Sequence, residues 1–523
     1  MSTFSLPAFG ETEYTLHREN RTSQVLNLSN VDDSSLESYT TYFEALGFVK
    51  KESYQNGLHR FVALQKDSIG IFLNFFSKIR ELSVVVEEDC NYFSYTDIPG
   101  RARVTPQITQ VKLTDYGLSY AIRLGDGRFV VIDGGCNHEP DQERLFQCLK
   151  EGSPWECPVI ASWIFTHPHS DHYQCFLGFY DRYGEQIKIE KIMLLFPEHD
   201  DLEHYPKLQT ESTGTEHDIS PITNIPMLWE RIRASGASVY APHTGQRYQI
   251  GDAACQILAS MDDTMHRSQK INAISLVIRM ELAGQVILWA TDASFDFAKI
   301  PEKYDTYLKS DILQIPHHGF QCGAAEAEIL GYDLIRPRVC LLPVSDYNAY
   351  SMFCIHRDGT RHIMRDCDVD EIITGDRQRT LSLPYAPKPY AKTELQRAAQ
   401  RGLDVAGAEA WVYTQLNTAC PEDFQFRFVN MTNTPTRVWI ELFFEEKANR
   451  INSIEIELPP LSLSNINITD QAVNRDPGTY NACSLQRRGI PENQPFAVRF
   501  LGERPFVVSH KTHTPDYHST QHL

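Results

Sequence analysis

The segment Phe165-Thr166-His167-Pro168-His169-Ser170-Asp171-His172 sets three imidazoles and a carboxylate within six residues, directly after the apolar run VIASWIF. His167 and His169 are two apart, so in extended backbone their side chains point the same way and can chelate one ion. On a helix the same spacing would place them on nearly opposite faces. Pro168 supports the extended form, because it disfavours helix at His167 and fixes its own φ. Asp171 and His172 fall where the chain turns, and two adjacent side chains on a turn can both reach a second ion beside the first. A solvent-exposed histidine cluster is the alternative, and the buried strand directly ahead of it argues against that.

Three further places carry candidate groups. In VVIDGG, residues 130–135, Asp133 opens an Asp-Gly-Gly that by itself is an ordinary turn. SLVIRMELAGQVILWATDAS reads as two strands with Asp292 just past the second. An aspartate at a strand end is by itself usually a cap or turn. In SDILQIPHHGF, the strand DILQI delivers His317 and His318 to its end, and Gly319 permits a sharp exit.

H-x-H-x-D-H after a strand resembles the hallmark of the metallo-β-lactamase superfamily at every fixed position, and the resemblance covers roughly residues 106 to 388. It implies an αββα sandwich with two metal ions. The first would have His167, His169 and Asp292; the second would have Asp171, His172, His318 and the shared Asp292. It implies that Asp133 orients the metal loop by hydrogen bonds instead of binding metal. The Pro-x-His-Gly pattern aligns its ligand with His318. His317 is then a substrate-facing or supporting residue, or the two are reversed. Many members supply a third His to the first ion, and here none stands in a clear context. His199, His204, His217, His243 and His266 lie in the interval, with His243 and His266 the best placed.

Within the superfamily, INAISLVI at 271–278, then Thr-Asp, then Pro-His-His-Gly, is similar to the metallo-β-lactamase domain of DNA-uptake competence proteins and its soluble relatives. VSDYNAY at 344–350 resembles a later segment of that group. Ser351 and Met352 stand where the group usually has a His, and Tyr173, Gln174 and Cys175 stand in place of its Ile-Gly-Gly.

The implied chemistry is hydrolysis by a hydroxide held between two divalent ions. Asp171 would hold that hydroxide and take its proton. His317, Tyr347 or Tyr350 could donate to the leaving group. Zinc is the natural metal for imidazole and carboxylate ligands, and manganese becomes plausible as oxygen ligands increase. The first expectation is phosphodiester hydrolysis on a small or short single-stranded substrate. The alternatives are a carboxylic ester, lactone or thioester hydrolase, and a metal-binding scaffold without catalysis. Redox use of a di-iron site is less expected, because redox members usually carry Glu at the position of His169.

These residues need elements to position them. Residues 1–105 read as a small β-α-β-β-β unit, with the strands QVLNLSNV, HRFVALQK, SIGIFLNFF and LSVVVEE and the helix SLESYTTYFEALGF. Residues 106–388 alternate strands and helices and carry every ligand motif, with Gly-Asp-Gly at 125–127 as a hairpin turn. Residues 389–508 begin with a short helix, AKTELQRAAQ. They continue as short β-runs broken by Asn, Pro and Thr, the pattern of a β-sandwich. Residues 509–523 form a polar tail with His510, His513, His518 and His522.

The bulk properties agree with an enzyme of several domains. The chain has 523 residues, 42% of them hydrophobic. Its 49 Lys and Arg against 68 Asp and Glu give a formal charge of −19, which repels phosphate backbones and argues against stable duplex nucleic-acid binding. The 12 Cys include no CxxC pair and read as reduced thiols. No signal-peptide pattern and no apolar run of about 20 residues is present, so a cytoplasmic protein without membrane contact is expected. The flanking domains could support a homo-oligomer.

Overall fold

A computed structural model describes residues 14–19, 22–115, 117–198, 201, 221–268, 270–344, 358–365, 367–375, 377–387, 410–417, 420–444, 451–467, 495–502, 504 and 506–510. The chain packs into two compact units, Met1–Pro343 with Cys367–Pro389, and Val344–Asp366 with Tyr390–Leu523.

The first unit holds three sheets. Two of them face each other as the middle of an α/β sandwich. One runs Ser238–Tyr240, Lys191–Met193, Val159–Ile164, Phe129–Asp133, Ser119–Arg123, Gln107–Gln110, Arg379–Ser382. The other runs Arg247–Ile250, Ala253–Ala259, Val277–Leu282, Gln285–Trp289, Ile312–Gln314, Val339–Leu342, Glu371–Thr374. Alternate residues of both, such as Ile122, Val130 and Ile164 from one and Ile278, Ile287 and Ile312 from the other, meet in a shared core. The opposite face of the first sheet buries Val131, Trp163 and Phe165 against Leu145, Phe176 and Leu228 from the helices Glu139–Gly152, Ser170–Tyr183 and Pro221–Ser235. The helix Ala325–Ile335 brings Tyr332 beside Cys340 of the second sheet.

The topology decides where chemistry can occur. Phe129–Asp133 and Val159–Ile164 are parallel neighbours, and so are Gln285–Trp289 and Ile312–Gln314. Parallel strands deliver their following loops to one edge, where open α/β sheets form their sites. Asp133, the loop from His167, the turn at Asp292 and His317-His318 all leave those four carboxyl ends.

The third sheet is antiparallel, in the order Tyr14–Glu19, Ser23–Ser29, Glu81–Glu87, Ile69–Phe76, His59–Lys66, Val49–Asn56. One face covers the helix Asp33–Ala45 through Leu26, Leu73, Tyr39 and Phe43. From the other, Val25, Phe61, Phe72 and Val85 enter the same core as the sandwich. The N-terminal residues therefore share a hydrophobic core with the sandwich. Two strands, Tyr14–Glu19 and Val49–Asn56, join those read from the sequence.

In the second unit a four-stranded and a three-stranded sheet pack through Phe426, Phe428, Ile440, Val498 and Phe500, which makes a β-sandwich. Its last described strand, Val507–His510, carries His510 inward against Phe426, so Ser509 and His510 belong to the sandwich. The expected helix AKTELQRAAQ and the rest of the histidine tail lie outside the described residues. No described helix is long and apolar enough to cross a membrane. No disulfide occurs among the described residues.

Candidate metal centre

Asp133 organises the metal loop. Strand Phe129–Asp133 ends on it in a left-handed conformation, φ 54°. Its carboxylate accepts from Thr166 N (2.9 Å), Thr166 Oγ1 (2.6 Å) and His172 Nδ1 (2.7 Å). Its carbonyl accepts from Trp163 Nε1 (3.0 Å). With Thr166 Oγ1 donating to Asp133, His167 Nδ1 donates to Thr166 Oγ1 (3.2 Å). Both imidazoles thus spend their Nδ1 proton on the wall and turn Nε2 inward. Gly134 lets the helix Ser170–Tyr183 approach, since a Cβ there would meet the Cys175 Cβ at 3.2 Å.

The loop turns into helix at Ser170, which puts Asp171 and His172 in the first turn, where the helix dipole favours a carboxylate. Across the site, Asp292 and His318 come from the second sheet. His317 and His318 are both left-handed, φ 48° and 52°, and Thr291 has φ 51°. Left-handed backbone costs a non-glycine residue about 1–2 kcal/mol, so this edge is held in shape by its surroundings. Buried Gln314 holds the Thr291 turn by accepting from its N–H (2.5 Å). Hydrogen bonds Leu276 N to Thr166 O, Thr291 Oγ1 to Leu276 O and His317 N to Thr291 O stitch the loops of the two sheets together.

The donor atoms gather in two groups, His167 with His169 and Asp292, and Asp171 with His172 and His318. The groups meet at Asp292, whose Oδ2 is 3.2 Å from His172 Nε2, 3.2 Å from His318 Nε2 and 3.9 Å from His167 Nε2. Asp171 Oδ2 lies 3.2 Å from His318 Nε2. His167 and His172 are fully buried, and Asp292 and His318 are 1% exposed.

This set fits a pair of divalent cations. Imidazole and carboxylate are their ordinary ligands. Asp292 Oδ1 is buried with no hydrogen-bond partner among the described residues, a loss of about 1–3 kcal/mol unless a cation or water meets it. The electrostatics agree. Burial lowers the His318 pKa, but Asp292 and Asp171 reverse this and raise it to about 9. Burial likewise disfavours a charged His172, yet Asp292, Asp171 and Asp133 push its pKa up. Burial raises the Asp292 carboxyl, and His172 and His318 more than offset it. The pocket thus gathers positive charge.

His317 lies in neither group. Its Nδ1 is 3.1 Å from Phe320 O and its Nε2 2.8 Å from Asn272 Nδ2. Burial, ahead of the nearby charges, takes its pKa down to about 4. Asn272 sits between His317 and His167, with Oδ1 3.2 Å from His167 Nε2. Sequence reasoning noted its motif but missed this residue, and the only signal was the absence of a third histidine. Tyr347 and Tyr350, with His199, His204 and His217, lie outside the described residues. His266 Nε2 is 3.4 Å from Asn27 Nδ2, and His266 belongs to neither group.

His243 is not part of the cluster either. It lies between Glu87 of the N-terminal sheet (2.9 Å) and Asp262 (2.6 Å), stacked on Phe72. Burial lowers its pKa, but the two carboxylates outweigh that and raise it to about 10. A raised folded-state pKa gives stability that is complete below the unfolded value near 6.5 and is lost as pH rises through the folded one. Between pH 6.5 and 10 the metal-free chain should therefore lose a few kcal/mol, at roughly 1.4 kcal/mol per unit. Denaturant unfolding across this range should show the loss in the wild type and a flatter profile in His243→Gln. Parallel profiles would remove His243 as the cause.

No family model and no curated protein matches this chain. Among solved structures it is similar to CmlA, a diiron beta-hydroxylase from Streptomyces venezuelae, at 12% identity and TM-score 0.32, covering 55% of each chain. A mutant of CmlA beta-hydroxylase matches at 12% identity and TM-score 0.32, over 53% of this chain and 54% of that one. The chain thus spans about half the length of these two. The Anabaena sensory rhodopsin transducer matches at 16% identity and TM-score 0.16, over 20% of this chain and 80% of its own. At such TM-scores neither fold nor chemistry rests on these likenesses; the binding of metal rests on the buried histidine and aspartate groups.

Proposed function

We propose that this chain is a binuclear metal-dependent hydrolase acting on a phosphodiester, with a small or short single-stranded substrate. The observation that carries this is the pair of buried donor groups meeting at Asp292. His167 and His169 with Asp292 would hold one divalent ion, and Asp171, His172 and His318 with Asp292 the other. Bound there, two such ions lower the pKa of a water toward neutrality and polarise the substrate oxygen.

The remaining work falls to the chain. Asp171 is the only carboxylate of the set with partial solvent access, its side chain 11% exposed against 2% for Asp292. Its carboxylate is thus placed to meet an incoming water and take its proton. Its backbone carbonyl accepts from Leu118 N (3.1 Å), which anchors the main chain at Asp171. Asp133 holds the loop rigid from behind. The imidazoles, with the Nδ1 protons of His167 and His172 committed to the wall, keep their inward lone pairs aligned. Zinc suits the imidazoles, and manganese is the alternative. The phosphodiester preference draws on the competence-like motifs, and the charge of −19 argues for a short substrate.

Metal loading followed by elemental analysis should give about two equivalents per chain. The loaded protein should hydrolyse bis-p-nitrophenyl phosphate in a chelator-sensitive way and leave p-nitrophenyl esters and lactones nearly untouched. Turnover of the esters or lactones alone would replace the phosphodiester reading with an acyl one. No turnover of any substrate with two ions bound would leave a metal-binding scaffold.

A further inference from the structure

We infer that Asn272 supplies its side-chain oxygen as a further protein donor beside His167, His169 and Asp292, in the place of a third histidine. This rests on the two-ion reading above and deepens it.

The Phe320 carbonyl can only accept a hydrogen bond. His317 Nδ1 lies 3.1 Å from it and must carry a proton to make that contact. In the neutral ring Nε2 is then an acceptor. The Asn272 group 2.8 Å away is the amide NH₂, which donates to it. The reverse orientation would set the amide oxygen against a lone pair of His317. The carbonyl of Phe320 thereby fixes which end of the Asn272 amide faces the site, and that end is Oδ1.

Oδ1 in turn lies 3.2 Å from His167 Nε2. The proton of that ring is at Nδ1, donated to Thr166 Oγ1, whose own proton goes to Asp133. His167 Nε2 therefore presents a lone pair. His169 Nδ1 is 3.1 Å from the same atom, and Asp292 Oδ2 is 3.9 Å from it. His167 Nε2 and Asn272 Oδ1 thus face each other as lone pairs, with a His169 nitrogen and an Asp292 carboxylate oxygen beside them. The contact of those two lone pairs is repulsive until a cation enters beside them, and an amide oxygen is an ordinary ligand for hard divalent ions.

The consequence is a matched pair of sites. The first would hold two nitrogens and two oxygens, from His167, His169, Asp292 and Asn272. The second would hold the same numbers, from His172, His318, Asp171 and Asp292. Exchanging a third histidine for an amide oxygen shifts the first site from zinc toward harder cations such as manganese.

The test titrates the metal-depleted full chain with Mn²⁺ or Zn²⁺ by calorimetry, with metal content measured after dialysis. Wild type should bind about two equivalents. Asn272→Ala should keep one equivalent at wild-type affinity and weaken the other at least about tenfold. His167→Ala should weaken that same equivalent. Asn272→His should bind Zn²⁺ in the first site more tightly than wild type and Mn²⁺ less tightly, which a merely structural asparagine would not do. The unfolding profile of each metal-free variant shows that it is folded. If Asn272→Ala keeps both ions at wild-type affinity while His167→Ala loses one, Asn272 is no ligand and the two-ion reading stands. If wild type itself takes up no metal, the two-ion reading falls and this inference falls with it.

Discussion

Asp171→Ala should lower hydrolysis by at least about 10³-fold in protein that remains folded. Two functions fail together, and general base catalysis alone is worth about 10²–10⁴-fold. Asp171 belongs to the second donor group through its contact with His318 Nε2. Burial would raise its pKa, but His172 and His318 reverse this and hold the carboxyl below the usual carboxylate range. It is therefore an anion at neutral pH, able both to ligate and to receive a proton. Asp171→Asn separates the two roles. An amide oxygen can still ligate, so Asn should retain most of the second ion, yet it cannot take up a proton. The rate should drop by about 10²–10⁴-fold at nearly full metal occupancy. Metal content and kcat measured on the same preparations decide this. A fully occupied Asp171→Asn protein with wild-type kcat would show that another group takes the proton.

The part of the site that could be read from the sequence is the part that is local. His167, His169, Asp171 and His172 lie within six residues, and their strand and following helix show in the apolar pattern. Asp133, Asp292 and His318 each stand at or just after a recognisable strand, but alone they read as turn or cap residues, and their place in the site followed from the resemblance to the metallo-β-lactamase superfamily. Asn272 could not be read in this way. Its orientation depends on His317, 45 residues on, whose left-handed backbone turns the ring onto it. No local periodicity encodes that contact.

The fold shows the same division. Val49–Asn56, VKKESYQN, is a polar edge strand with little apolar alternation to reveal it. In Ser462–Asn467 only Ile466 packs toward the core while Leu463 is 61% exposed, so polar residues fill most of the strand and no alternation reveals it. The packing of the N-terminal sheet had a signal that was available. Ile71, Phe72 and Leu73 are consecutive and all buried, as in a strand covered on both faces. One face serves the helix Asp33–Ala45 and the other the sandwich core. A strand exposed on one side would have alternated.

The two adjacent histidines should divide the two metal sites between them. His318→Ala removes a donor from the second group and leaves Asp171 and His172 with the shared Asp292. The second ion should be weakened by more than the roughly 10–100-fold that loss of an outer partner costs. Activity should fall with it, and excess metal should restore part of the rate. His317→Ala leaves that group intact. It frees the Asn272 amide to turn, because the acceptor of its NH₂ is gone. The first ion should then weaken by about 10–100-fold, the range for an outer hydrogen-bond partner, while the second binds as in wild type. Direct proton donation by His317 predicts otherwise, with both ions at wild-type affinity and only kcat reduced. The geometry disfavours that role, since the Nδ1 proton is held by Phe320 O and Nε2 accepts from Asn272. Calorimetric titration of both metal-depleted variants separates the cases. Loss of the second ion from His317→Ala, with its retention in His318→Ala, would reverse the assignment of the pair.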